Sequence, residues 1–185
     1  MYKYAVAGVC LLFATCVHAQ SIGEKSGVNA VLGTSPSTQD FVTEVANSDM
    51  LEIESGKLAQ QKASDSPTKQ FASQMITDHQ KTTEELKGLV NGGKVKAMLP
   101  TGMDSSHQSK LDKLKGLSGA DFDKTFDDMQ QSAHKDATSL FERYAKGGEN
   151  ADLKAFASKT LPTLQHHLQM AQDLTKNRGT TGRGR

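Results

Sequence analysis

Three histidines, His79, His134 and His167, fall on three separate stretches with helical periodicity, and Glu54 falls on a fourth. At 100° per residue, His79 lies four residues after Met75 and seven before Leu86, near the middle of an apolar face. His167 lies three after Leu164 and four before Ala171, inside its stripe, whereas His166 is turned 100° away toward solvent. His134 sits at the edge of its stripe, seven residues before Phe141. Glu54, four after Met50 and four before Leu58, is expected to face inward. Neutral imidazole and carboxylate are the usual ligands for zinc, iron or cupric ions where thiolates are absent. Glu54, His79, His134 and His167 could therefore surround one divalent ion. The alternative is that each histidine is a core or boundary residue bonded to a neighbour, with Glu54 as a partner.

Other chemistries are narrower. Cys10 and Cys16 both sit near the N-terminus and no cysteine follows them, so no thiolate is expected in the folded domain. The residues three before the histidines are Ile76, Asp104, Gln131, Thr163 and Leu164. A di-iron carboxylate centre built on Glu-x-x-His pairs is thereby disfavoured, as is haem attachment through Cys-x-x-Cys-His. No Gly-x-Ser-x-Gly elbow, phosphate loop or dinucleotide fingerprint is found, and no catalytic residue is assigned. The paired acids Glu84-Glu85 and Asp127-Asp128 diverge by 100° on a helix and read as solvated faces. Met50, Met75, Met129 and Met170 follow helical stripes as packing residues, with a copper(I) thioether site as the alternative.

The elements that must position these groups are helices. The pattern predicts a first helix from Ser37 to Ser64 with the stripe Val42, Ala46, Met50 and Ile53, capped by Ser37 or Thr38. A second runs from about Pro67 to Leu89, with Ser66 as its cap and Asn91-Gly92-Gly93 ending it. A short helix over Asp104 to Leu114 carries His107. A third long helix spans about Ala120 to Ala145, and a fourth about Asn150 to Thr175, with Pro162 expected to kink it. The predicted fold is all-α, a ferritin-like up-down four-helix bundle over residues 39–176 with a short extra helix between helices 2 and 3. Residues 20–38 read as a flexible leader and 177–185 as a disordered tail.

Residues 1–19 read as a secretory signal peptide: Lys3, then an apolar run from Ala5 to Val17, then a small residue, Ala19. The run is too short for a membrane span, which takes about 20 residues. An uncleaved anchor and lipidation at Cys16 are the alternatives. An exported protein in the periplasm or at the outer membrane is expected. The leader carries one base, Lys3, and no acid, so what remains has equal numbers of acidic and basic residues. That balance argues against nucleic acid as a partner.

An ordered series of short motifs resembles one family. It begins with Glu52-Ile53-Glu54-x-Gly56-Lys57-Leu58-Ala59, then Phe71-Ala72-x-x-Met75-x-x-Asp78-His79. It continues through His107-x-x-x-Leu111-Asp112-x-Leu114, Phe122-Asp123, His134-Lys135 and Leu140-Phe141-Glu142. Leu153-Lys154-Ala155-Phe156-Ala157 and Lys159-Thr160-Leu161-Pro162-x-Leu164-x-x-His167-Leu168 complete it. Over about residues 39–175 the chain resembles the domain-of-unknown-function 4142 family. The resemblance implies an exported bacterial protein with a ferritin-like bundle, often described as an outer-membrane protein. It also implies that His79, His107, His134 and His167 occupy recurring histidine positions and His166 does not. The residue before His134, often acidic in such proteins, is Ala133 here. The family carries no established activity. Three functions stand open: a binding or stress-related module with one metal ion, an envelope-interaction scaffold without a ligand, and a metal-dependent redox enzyme.

Overall fold

Side chains that satisfy backbone amides mark where four of the five helices begin. The computed structural model describes residues 33–181, with side chains to 179. The expected signal peptide and most of the flexible leader lie outside the described residues. Ser37 accepts from the Asp40 amide (3.1 Å) and starts α1 (Thr38–Lys62). Asp65, rather than the expected Ser66, accepts from the Thr68 amide (2.8 Å) and starts α2 (Ser66–Asn91), with Pro67 in its first turn. Asp104 caps the short α3 (Ser105–Lys115). The long α4 (Gly119–Gly147) and α5 (Ala151–Thr181) complete the chain. Asn150 holds the Leu153 amide (2.9 Å) at the start of α5. No strand occurs among the described residues.

α5 runs through Pro162 and past the expected end near Thr175 to Thr181. The extra length has a cause: Arg178 is tied to Asp65 (2.6 Å) and to Asp127, which anchors the last turns.

The four long helices meet around two apolar clusters. The first gathers Phe41 and Val45 of α1, Leu86 of α2, Phe141 and Tyr144 of α4, and Leu153 and Phe156 of α5. The second gathers Ala59 of α1, Phe71 and Met75 of α2, Phe122 and Phe126 of α4, and Ala171 of α5. α1 and α5 therefore run from the first cluster to the second, and α2 and α4 run the other way. The connection from α2 to α4 must cross the length of the bundle, and it does so along α1. Gln39 clasps Met98 through two hydrogen bonds (both 2.8 Å), Asn47 accepts from the Asp104 amide (2.8 Å), and Lys62 donates to the Lys115 and Leu117 carbonyls (2.6 and 3.1 Å). One long crossover of this kind is the ferritin-like connection.

Between the clusters lies a layer of buried polar side chains: Asp49, Glu52 and Ser55 on α1, His79 on α2, Gln130 and His134 on α4, and His167 on α5. Gly56 lets α1 and α2 approach closely beside it. A Cβ there would come within 2.8 Å of Ile76 Cγ1 and 3.2 Å of the Ala72 carbonyl oxygen.

Candidate metal centre

Each of the three histidines is fixed by its own helix and by a partner that dictates its tautomer. His79, His134 and His167 are 5%, 1% and 1% exposed. His79 Nδ1 donates to Asp49 Oδ1 at 2.8 Å. His134 Nδ1 lies 2.9 Å from the Gln130 carbonyl, which can only accept, so Nδ1 carries the proton. His167 Nε2 donates to Asp78 Oδ2 at 3.1 Å. Holding one ring nitrogen with a carboxylate or carbonyl is how proteins orient a metal-binding imidazole.

The lone pairs left over belong to His79 Nε2, His134 Nε2 and His167 Nδ1. The first two are 3.4 Å apart, and His167 Nδ1 is buried with no hydrogen-bond partner. The rings form a near-equilateral triangle, with centroids 5.6, 5.7 and 5.3 Å apart. One nitrogen from each ring lies within 4.8 Å of the others. Nitrogens about 2.05 Å from a tetrahedral ion are about 3.4 Å apart, so the His79–His134 spacing already fits. A pair at the 4.8 Å limit needs to close by about 1.4 Å, which ring rotations with a small shift of the side chain can supply.

The electrostatics favour neutral imidazole at two of the three. Burial, together with the charges of His134 and His79, pushes the His167 pKa down to about 4 against the pull of Asp78. Burial likewise lowers that of His134. At His79 burial acts in the same sense, but the bond to Asp49 and its charge outweigh it and raise the pKa. Burial raises the pKa of Asp49. Two neutral rings would face each other lone pair to lone pair across 3.4 Å, an arrangement that calls for a proton or a cation between them.

Glu54 does not join this group. Its side chain is about half exposed and pairs with Lys57 at 2.7 Å. The reason is helix phase. The inward face of α1 reads Phe41, Val42, Val45, Asp49, Glu52, Gly56 and Ala59; of the expected stripe, Val42 is buried and Ala46 packs against the core, whereas Met50 and Ile53 are only half-buried. Two positions turn a side chain by 200°, so the buried glutamate is Glu52. Asp49 and Glu52 were missed because acids in the middle of a buried face break its apolar signature. Their 3-residue spacing, in phase with Val45 and Ala59, was the available signal. His107 is buried elsewhere, on α3, between Asp104 (3.0 Å) and Glu44 (3.5 Å). His166 is exposed.

The sequence matches the family model for a domain of unknown function, DUF4142, over residues 23–174. The chain belongs to the DUF4142 family. No curated protein matches it. Among solved structures, one titled "CopM in the Cu(II)-bound form" aligns with a TM-score of 0.65 at 19% identity, covering 78% of this chain and 99% of that one. At that identity the likeness shows the helical-bundle fold alone. No helix of this DUF4142 chain is long and apolar enough, among the described residues, to cross a membrane.

Proposed function

We propose that this protein binds one divalent transition-metal ion through His79, His134 and His167, and that it does so outside the cytoplasm. The observation that carries the reading is threefold. Every one of these buried rings has one nitrogen held by an acceptor, its other nitrogen meets no protein group outside the three rings, and the three rings converge. Three imidazoles suit zinc, cupric or ferrous ions. Copper(II) is the first ion to test, because CopM, a bundle of similar fold, was solved with it. Export rests on residues 1–19, and a partner in the cell envelope would follow from it.

The test uses protein purified from its host and stripped with chelator, its mature N-terminus expected at Gln20. Calorimetric titration with Cu(II) or Zn(II) should give one equivalent bound. At a thousandfold excess of free ion over Kd the fold should gain about 4 kcal/mol, and His134→Ala should lose both. Binding that survives in His134→Ala, or none in the wild type, would falsify the reading; an N-terminus at Met1 would sink export alone.

A further inference from the structure

The polar layer contains a carboxylate oxygen that accepts no hydrogen bond. Glu52 is 2% exposed, and its Oε2 is buried without a hydrogen bond. An uncompensated carboxylate in a protein interior costs several kcal/mol, and chains normally pair such groups. Asp123 shows how this one does it elsewhere: equally buried, it accepts from the amide of Ser64 (2.9 Å) and from its hydroxyl.

The position of Glu52 is bracketed by hydrogen bonds on either side. One turn before it on the same buried face, Asp49 holds His79 at 2.8 Å. One turn after it, Ser55 Oγ donates to the Glu52 carbonyl (3.3 Å) and accepts from Gln130 Nε2 (3.4 Å). The Gln130 carbonyl in turn holds His134 at 2.9 Å. Glu52 thus sits on α1 between the anchors of two of the three histidines, the one long helix that contributes none. Its charge acts on both His79 and His134. Two further orphaned atoms, Gln130 Oε1 and His167 Nδ1, belong to the same layer.

The metal-free group of converging ligand atoms holds the three histidines without Glu52; we propose that the Glu52 side chain swings in on metal binding as the fourth, anionic ligand, and that it makes the centre select divalent ions over copper(I). The proposal rests on the metal-binding reading above and adds to it the ion's charge class. A carboxylate is a hard donor that holds Zn(II) or Cu(II) but offers little to the soft monocation. Binding a divalent ion also removes the cost of burying the carboxylate unpaired, which binding a monocation does only in part.

The experiment compares wild type, Glu52→Gln and Glu52→Asp, each titrated with Zn(II) and Cu(II), and anaerobically with Cu(I) against a competing chelator. Melting of the metal-free forms is followed in parallel. Glu52→Gln should melt no lower than the wild type when metal-free. It should lose at least about 100-fold in divalent affinity, at or above the range seen when a supporting residue is lost, and under about fivefold for Cu(I). Its Cu(II) electron paramagnetic resonance should change. Glu52→Asp should fall between. Divalent affinity within about threefold of wild type, or an equal loss for Cu(I), overturns the proposal. So does a metal-free Glu52→Gln that melts well below wild type, since Glu52 would then be holding the apo fold. If the wild type binds through the histidines while Glu52→Gln matches it, only this inference fails; if His134→Ala changes nothing, the metal reading fails first.

Discussion

Two regions of this bundle bury ionisable groups, and they treat them in opposite ways. At one end Arg178 of α5 reaches Asp127 Oδ2 through Nε (2.9 Å) and Asp65 Oδ2 through Nη2 (2.6 Å), and Thr68 hands its hydroxyl to Asp127 Oδ1 (3.1 Å). Every carboxylate there has its donors, and the cluster locks the α1–α2 turn to the end of α5. In the central layer, Glu52 Oε2, Gln130 Oε1 and His167 Nδ1 have none. The same chain can therefore satisfy buried charge fully where the aim is to join helices. Where it leaves atoms unsatisfied, and points held imidazoles at one another, the arrangement is suited to something that comes from outside.

The contrast can be broken most directly with pH. The folded pKa of His167, about 4, lies below its ordinary value of 6.5. The unfolded chain then binds more protons across that window, and stability is present above 6.5 and lost as pH falls toward 4. The size is about 3 kcal/mol. His134 shifts in the same direction, while His79, raised by Asp49, works against them. In the Arg178 cluster the shifts oppose one another: Asp65 is lowered by its hydrogen bonds from Thr68 and Arg178 despite some burial, and Asp127 is raised by burial. Urea melts of metal-free protein between pH 7.5 and 4.5 should show the loss, and His167→Leu should flatten it. A slope unchanged in that variant would place the titration elsewhere.

Arg178→Ala sharpens the comparison from the other side. It strands the buried Asp127, and because Arg178 is partly exposed the expected cost is about 2 kcal/mol. Affinity for Cu(II) or Zn(II) should stay within a factor of two. A parallel loss of affinity would show that the end cluster and the layer act as one unit. The smallest effect has the opposite sign. At pH 7.5, His167→Leu removes an orphaned buried nitrogen, and Asp78 keeps its bonds to Gln74 and Lys81. The metal-free variant should gain about 1 kcal/mol in denaturant unfolding. A loss of that size instead would mark His167 as a structural residue.

Much of this was legible from residue spacing. His79, His134 and His167 stand in phase with their stripes, and Ser37, the Pro67 turn and the Gly92-Gly93 stop mark helix ends by local chemistry that needs no tertiary context. What escaped depends on contacts between distant segments. The inward face of α1 is set by its packing on α2 at Gly56, and its acids disguise it, so the sequence pattern favoured Glu54 over Glu52. The direction of the crossover is fixed by Gln39, Asn47 and Lys62, three polar residues with no local signature. The end of α5 is set by Asp65, 113 residues away from Arg178.

The three histidines come from α2, α4 and α5, and His79 and His134 are 55 residues apart in sequence. An ion held by all of them is a covalent-like staple across the chain, closing two long loops at once. Cross-links that close long loops restrict the unfolded chain most. In a fold whose described residues contain no cysteine, the centre would take the place of a disulfide, one that a chelator can open without any change of redox state.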